Sequence, residues 1–296
     1  MRTYRADRDT QPRSSWGGMA HRTWGGLARR PRPDLRLGAG SVSRQPVARH
    51  EPSGEPATDR LVVRHTVATS ITEYTLLLNG PSWLGRRRLG EAIRDAVAEL
   101  RAIDLTYSPT RPKSLVSRLR RGEIAADAYP PLADIVARCD AMRAATDGWF
   151  DAWAVPGGFD PGGLLNGWAV ERAASRLRAA GVEDYAVLSG ADLLVNGRAP
   201  HGGPWRIAVH HPTDGDRAPL TLEMTTGAVG TSGVAGRRDH VVDPHTGEPA
   251  RLFAAATVTG PSLAVADGYA TALFAAGPAG LNWFPTPTGY RALHAA

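Results

Sequence analysis

The chain has one cysteine, one lysine and no long apolar run, and these shortages exclude whole classes of protein. Cys139 has no second cysteine to pair with, so an intrachain disulfide framework and a cysteine-rich zinc or iron–sulfur site are excluded. No stretch of about 18 uninterrupted apolar residues occurs, so no transmembrane helix is predicted. With 296 residues, 42% of them hydrophobic, the chain can still form a sizeable core in one large or two small domains.

Several common catalytic and nucleotide-binding motifs are also absent. There is no Walker A sequence, and no G-x-G-x-x-G follows a predicted strand. Ser232 does not lie in a G-x-S-x-G elbow, and no pair of histidines has the i, i+4 spacing of a zinc site. Candidate catalytic and binding residues must therefore come from segments that match none of these common motifs.

The positive charge is concentrated near the N-terminus. Residues 1–50 contain eleven arginines and three aspartates, a net charge of +8, so the remainder of this +6 chain carries −2. Residues 1–60 are rich in Arg, Pro, Gly and Ser and lack a sustained apolar period, which predicts a disordered extension or a start codon assigned too far upstream. An arginine-rich arm for nucleic acid or anionic lipid is the alternative. No apolar core of a secretory signal follows the basic residues.

Helices and strands are mixed from Leu61 onward without a strict βαβ repeat, which favours an α+β fold with mixed or antiparallel sheets and packed helices. Predicted strands cover residues 61–63, 74–78, 185–188, 193–195, 205–209, 220–224 and 254–258. Predicted helices cover residues 89–105, 132–145, 168–180 and 264–276.

Two segments have the residue types of an anion or metal site. Residues 159–167 form a glycine-rich stretch before a predicted helix, where free backbone N–H groups favour an anion, although such a stretch is often only a turn. Asp267 and Thr271 stand four residues apart on one helical face and offer oxygen ligands that suit Mg²⁺. The alternative is a carboxylate favoured by the helix dipole and a threonine that bonds back to a carbonyl.

Two further segments are polar turns with candidate functional groups. In residues 239–247, His240 offers a general base or an anion contact, or is a surface histidine before a strand. Residues 231–233, Thr-Ser-Gly, offer hydroxyl donors for phosphate oxygens, or form a simple turn.

Taken in order, these segments resemble the FAD:protein FMN transferase (ApbE) family from about Leu61 to Leu293. The resemblance rests on motifs in the family's order and at compatible spacing. They are Tyr107-Ser108 with Arg111-Pro112 and residues 114–119, then Thr146–Asp151, Asp160–Gly167, Ser189–Asp192, Thr231–Gly233, His240–Gly247, and Pro261-Ser262 with Ala266–Leu273.

The resemblance implies an α+β, ApbE-like (T-fold-like) domain over residues 61–296 and a specific reaction. Family members use Mg²⁺ and move the FMN moiety of FAD onto a Thr or Ser hydroxyl of a target flavoprotein, releasing AMP. By match to the family, Asp267, Thr271 and the carbonyl of Gly163 hold Mg²⁺. His240 lies near the phosphates and helps to deprotonate the hydroxyl. The FAD contacts implied in this sequence are Thr110, Trp149, Phe150, Asp151, Asp160 and Asn166.

Some family positions are changed here. Thr110 stands where the family usually has a tyrosine, Asn166 where it has a charged residue, and the stretch near Ala68-Thr69-Ser70 replaces Met-Gly-Thr. These departures are compatible with altered flavin specificity, weaker binding or lost transferase activity. The alternatives to an active transferase are therefore a flavin-nucleotide binder or FAD pyrophosphatase, and a non-enzymatic protein whose arginine-rich tail binds nucleic acid.

The expected partners are FAD and an acceptor flavoprotein, with no nucleic acid and no transmembrane segment. A cytoplasmic location is the default expectation because neither a signal peptide nor a lipid-attachment cysteine is visible. An extracytoplasmic location is the alternative implied by the resemblance.

Overall fold

The structure, a computed structural model, describes residues 60–210, 219–233, 241–284 and 289–295. The strands in these residues are β1 (Arg60–Ala68), β2 (Glu73–Pro81), β3 (Tyr185–Ser189), β4 (Asp192–Asn196), β5 (Trp205–Val209), β6 (Leu220–Met224), β7 (Thr226–Gly233), β8 (Ala255–Gly260) and β9 (Arg291–Ala295). The α-helices are α1 (Gly85–Tyr107), α2 (Leu115–Arg120), α3 (Pro130–Ala145), α4 (Gly162–Ala179) and α5 (Leu263–Ala276). Two 3-10 segments, Ser82–Leu84 and Gly277–Asn282, precede α1 and follow α5.

A seven-stranded antiparallel sheet in the order β1-β2-β3-β4-β7-β8-β9 forms the centre of the fold, and β5 and β6 form a separate two-stranded sheet. Side chains of β2 alternate between the two faces of the large sheet. Leu76 and Leu78 are fully buried in the core that includes the helices. Leu77 packs instead in a smaller cluster with Trp205 of β5 and Met224 of β6. Both faces of this part of the sheet are therefore covered.

Helices α1, α4 and α5 pack on one another in that order, and α5 also lies against β7 and β8. The inward face of α1 shows why this segment is helical, because Leu89, Ile93, Val97 and Leu100 recur every three to four residues and are buried. α5 is buried almost throughout, since its sequence is rich in small and apolar residues. No helix in the described part of the chain combines the length and hydropathy needed to cross a membrane.

The predicted α+β class and the positions of most elements are confirmed, but two local predictions are wrong. α4 begins at Gly162, not at Trp168, so the glycine-rich stretch forms the first turns of the helix. Residues 231–233 are the end of strand β7 and not a turn. In both places, close packing against α5 outweighs the weak local preference of glycine and small polar residues for helix or strand. The predicted 1–60 extension lies outside the described residues except for Arg60, the first residue of β1.

The crossing of α4 and α5 depends on a glycine. A Cβ atom placed on Gly167 would lie 2.6 Å from the carbonyl oxygen of Leu263 and 2.8 Å from the backbone nitrogen of Ala264. Backbone atoms cannot move aside as a flexible side chain can. Gly167 therefore sets how closely the two helices approach.

The Gly167→Ala substitution is expected to lower the free energy of unfolding by about 2 to 3 kcal/mol, because the added methyl overlaps the backbone of α5. Denaturant unfolding followed by circular dichroism measures the change. Gly90→Ala in α1 is the matched control. Its Cβ would approach only Nη1 of Arg94, at 3.7 Å, so alanine should stabilise the helix by about 0.5 to 1 kcal/mol. Equal effects of the two substitutions would contradict the close packing at Gly167.

Candidate functional site

The contact between α4 and α5 brings together the three residues assigned to a metal from the family resemblance. A Cβ atom placed on Gly163 would lie 2.9 Å from Oγ1 of Thr271. The amide of Gly167 donates to Oδ2 of Asp267 at 3.4 Å. In an α-helix this amide lies next to the carbonyl four residues earlier, which is that of Gly163. The Gly163 carbonyl, the Asp267 carboxylate and the Thr271 hydroxyl are therefore neighbours.

Strand β7 supplies the next layer of the site. The hydroxyls of Ser232 and Thr271 are 3.0 Å apart and hydrogen bonded. The amide of the preceding residue, Thr231, donates to Oδ1 of Asp192 at 2.9 Å. β7 can lie this close to α5 because Gly230 has no side chain. A Cβ atom at this position would be only 2.5 Å from the amide nitrogen of Asp267. The end of β7 thus connects Asp192 on β4 with the two side chains on α5.

Two buried carboxylates give the site a strong preference for positive charge. Asp192 and Asp267 are only 6% and 4% exposed. Burial raises the pKa of Asp192 to about 7, against a hydrogen bond from Thr231 that lowers it. The pKa of Asp267 is raised well above its usual value, first by burial and second by the negative charge of Asp192. The pKa of the Tyr74 hydroxyl is raised first by burial and then by the negative charges of Asp104, Asp192 and Asp267.

An acceptor atom at this place also lacks a partner. Oδ1 of Asn166, one helical turn beyond Gly163, is buried and has no hydrogen-bond partner among the described residues. A buried oxygen atom without a partner is usually compensated by a cation or by a donor from a bound molecule. Carboxylate, hydroxyl and carbonyl oxygens are the ligands that hard cations such as Mg²⁺ prefer. The side chains present therefore fit a magnesium ion.

The Trp149-Phe150-Asp151 strip lies beside these residues, and its three side chains have different environments. The ring of Trp149 packs on His245, with centroids 4.3 Å apart. Phe150 is buried, and its Cε2 lies 3.2 Å from the Cβ position of Gly163. Asp151 pairs with Nε of Arg143 at 2.9 Å. Of the two aromatic rings, only that of Trp149 is partly exposed and able to contact a ligand.

Asp160 and Thr110 are both held by hydrogen bonds within the chain. Oδ1 of Asp160 accepts the amide of Gly162 at 2.9 Å and so satisfies a free donor at the start of α4. The Thr110 hydroxyl bonds that of Ser108 at 3.0 Å, and the hydroxyl oxygens of Ser108 and Ser70 are hydrogen bonded at 2.9 Å. Ser70 in turn donates to the buried Asp104. In the stretch that replaces Met-Gly-Thr, Ser70 therefore serves a polar network inside the protein.

His240 lies outside the described residues, in the gap between 233 and 241. The turn that follows it is described. The amide of Gly247 donates to the carbonyl of Asp243 at 2.8 Å, and the amide of Asp243 donates to that of Glu248 at 2.8 Å. This turn places His245 against the ring of Trp149.

Sequence reasoning assigned no role to Asp192, and it offered the Ser232 hydroxyl only as a donor for phosphate oxygens and not as a partner of Thr271. Both stood in recognised motifs, but a role required knowledge that β4 pairs with β7 and that β7 lies on α5. The signal that was available for Asp192 was an acidic residue two positions after a glycine in a hairpin turn. That signal alone does not distinguish a solvent-exposed turn from a buried site.

Comparison with known proteins agrees with this geometry. Residues 154–293 match the model of the ApbE family. The chain is 34% identical over 122 residues to a protein of Klebsiella pneumoniae named FAD:protein FMN transferase. That alignment covers 38% of this chain and 35% of the relative, so the chain matches only a minor part of the relative's length.

Solved structures extend the likeness to most of the chain. The apo form of the flavinyl transferase ApbE from Pseudomonas stutzeri is 25% identical, with a TM-score of 0.66, over 81% of this chain and 96% of that one. The flavin transferase ApbE from Vibrio cholerae is 20% identical, with a TM-score of 0.66, over 80% and 98%. The ApbE-like α+β fold and the resemblance to this family are therefore confirmed.

Proposed function

We propose that this chain, a relative of the ApbE family, transfers the FMN moiety of FAD to a Thr or Ser hydroxyl of a target protein in the presence of Mg²⁺. The observation that carries the proposal is the convergence of Gly163, Asp267 and Thr271 at the crossing of α4 and α5. Gly163 lies more than a hundred positions before Asp267 and Thr271 in the chain, and no demand of core packing requires a carboxylate and a hydroxyl at this point.

The proposed metal ligands are the Asp267 carboxylate, the Thr271 hydroxyl and the Gly163 carbonyl. A bound Mg²⁺ would polarise the phosphate oxygens and offset the charge that develops on the pyrophosphate. Asp192 adds a second negative charge behind Asp267 and so favours a dication over a monovalent one. Ser232 holds the Thr271 hydroxyl in place through their hydrogen bond.

The chain's own residues would bind and orient the dinucleotide. The partly exposed face of Trp149 offers a stacking surface for one of the ring systems of FAD. The buried Asn166 oxygen is left to accept a hydrogen bond from the substrate or its bound water. Asp160 keeps the first turn of α4 in place, which fixes the Gly163 carbonyl.

The proposed reaction is a displacement at phosphorus. The acceptor hydroxyl oxygen forms a bond to the phosphorus that carries riboflavin, the bond from that phosphorus to the bridging oxygen breaks, and AMP leaves with the bridging oxygen. The proton of the hydroxyl must go to a base. His240 remains our prediction for that role, on the strength of the family resemblance.

The test is incubation of the full chain with FAD, Mg²⁺ and a purified flavoprotein domain that a related transferase modifies. We expect a flavin-fluorescent acceptor band on a denaturing gel, and equal amounts of AMP in solution. Release of AMP and FMN without a labelled acceptor would show the alternative, an FAD pyrophosphatase, with water in place of the hydroxyl. Binding of FAD with neither product would leave only a flavin-nucleotide binder.

The Ser232→Ala substitution is expected to weaken metal binding by roughly tenfold, because Thr271 loses the hydrogen bond that orients its hydroxyl. Titration with Mn²⁺ followed by electron paramagnetic resonance measures the affinity without any turnover. Ser232→Thr keeps a hydroxyl and should retain most of the binding. Unchanged Mn²⁺ affinity in Ser232→Ala would show that this hydrogen bond has no part in holding the ligand.

A further inference from the structure

An exposed tryptophan stands at the end of the large sheet away from the candidate site. Trp83 is 77% exposed in the 3-10 turn between β2 and α1, while the next residue, Leu84, is buried and holds the turn in place. An indole of this size in contact with water is unfavourable, because most of its surface is apolar. The core would form equally well with a polar residue at this position.

Three consecutive arginines follow the tryptophan. Arg86, Arg87 and Arg88 are all exposed in the first turn of α1, which contains no acidic residue. Positive charge at a helix N-terminus opposes the helix dipole. Arg87 pairs with Glu91 at 3.3 Å, whereas Arg86 and Arg88 form no ion pair with any described residue. The fold therefore gains nothing from these two charges.

The same end of the sheet is where the N-terminal segment joins the described fold. Arg60, the first residue of β1, is paired in register with Pro81, immediately before the tryptophan turn. Residues 1–59 precede this point in the sequence and carry a net charge of +5, because Glu51, Glu55 and Asp59 offset part of the +8 of residues 1–50. Asp184, an acidic residue at this end, is already paired with Arg60.

This end is remote from the candidate site. Tyr74, at the other end of β2, is paired with Ser189, which is in turn paired with Asp192 of the site. The seven residue steps from Tyr74 to Pro81 span roughly 23 Å. A molecule bound at Trp83 would therefore leave the site open.

We propose that Trp83, Arg86 and Arg88 form a docking surface for an anionic lipid bilayer. Trp83 would enter the headgroup region, where an indole places its ring among acyl chains and its N–H among polar groups. Arg86 and Arg88, which have no carboxylate partner among the described residues, would pair with lipid phosphates.

The features favour a lipid surface over a nucleic acid. Single-stranded nucleic acid is bound by a charged groove with several aromatic rings spaced for successive bases. Trp83 is one ring on a protruding turn, with its charges beside it on a helix end. That arrangement suits insertion into a flat interface.

The test is co-sedimentation of the full chain with vesicles of phosphatidylcholine alone or with about a third phosphatidylglycerol. We expect binding only to the anionic vesicles. Arg86→Ala with Arg88→Ala should reduce the partition coefficient by about fivefold for each charge removed. Trp83→Ala should remove the part of the binding that survives high salt. Arg101→Ala, an exposed arginine further along α1, is the matched control and should bind like the parent.

Circular dichroism and thermal unfolding show whether each variant is folded, and Arg86→Ala and Arg88→Ala should if anything stabilise α1. Equal binding of the parent and all folded variants would overturn the proposal, because the N-terminal segment alone would then account for it. Retention on duplex DNA with no vesicle binding would also overturn it in favour of nucleic acid. Flavin transfer is measured separately, and its presence or absence does not alter either outcome.

Discussion

Asp267→Asn is expected to lower the rate of flavin transfer by at least about a hundredfold and to weaken Mg²⁺ binding by a similar factor. The substitution keeps the shape of the side chain and an oxygen that can accept from the Gly167 amide, but removes the negative charge next to Gly163 and Thr271. Initial rates of acceptor fluorescence measure transfer, and calorimetric titration measures Mg²⁺ affinity.

The same variant should be more stable than the parent in the absence of metal. Asp267 is buried beside Asp192, and both burial and the like charge raise its pKa. A neutral isostere removes that unfavourable ionisation. Asp95→Asn, at an exposed position of α1, is the control and should change neither property. Loss of transfer together with unchanged Mg²⁺ affinity would contradict the assignment of Asp267 as a metal ligand.

The metal-free protein is expected to lose stability as the pH rises from about 4 to about 7, and Asp192 is a principal cause. Its pKa is raised by burial from 3.8 to about 7 in the folded state. Below pH 4 the carboxyl is protonated in both states and has no effect. Between these values the unfolded chain releases the proton and the folded chain keeps it, so unfolding becomes more favourable as the pH rises. The loss is on the order of 3 to 4 kcal/mol once both states are ionised.

Asp192→Asn should flatten this part of the pH profile, since asparagine can still accept from Thr231 and carries no charge. Thermal unfolding of both proteins in chelator across pH 4 to 7.5 gives the difference directly. Added Mg²⁺ should raise the parent's melting temperature most at the upper end of the range, where the carboxylates give up their protons most readily. Parallel profiles for the two proteins would show that Asp192 titrates normally.

The sequence predicted the fold well wherever one physical signal dominated. α1 and α3 have apolar residues at helical spacing, and residues 74–78 of β2 are a run of strand formers. Asn79-Gly80-Pro81, predicted to end that strand, instead continue it in pairing with β1. The start of α4 was missed because two adjacent glycines have poor helix propensity, and only the approach of α5 favours them there. β9 was not predicted, since its pairing with β8 brings together distant parts of the chain.

Only part of the candidate site could likewise be predicted from local sequence patterns. The i, i+4 relation of Asp267 and Thr271 could be read from helical spacing, and the family resemblance added Gly163. Local patterns gave no means of finding Ser232 against Thr271, because that contact arises from the packing of β7 on α5. The internal use of Thr110 and Ser70 was equally hidden, because it depends on Asp104 being buried between α1 and the β1–β2 turn.

The site is built from five separate stretches of the chain, which are α4, β4, β7, α5 and the strip before α4. Its assembly is therefore an all-or-none event. No short fragment contains both of the segments that carry the proposed ligands, α4 and α5, together with the sheet that aligns them. Binding of a divalent cation should therefore require the entire domain to be folded. A variant in which part of the domain unfolds should therefore lose the site altogether, in contrast to a folded variant such as Ser232→Ala, which should bind the ion more weakly.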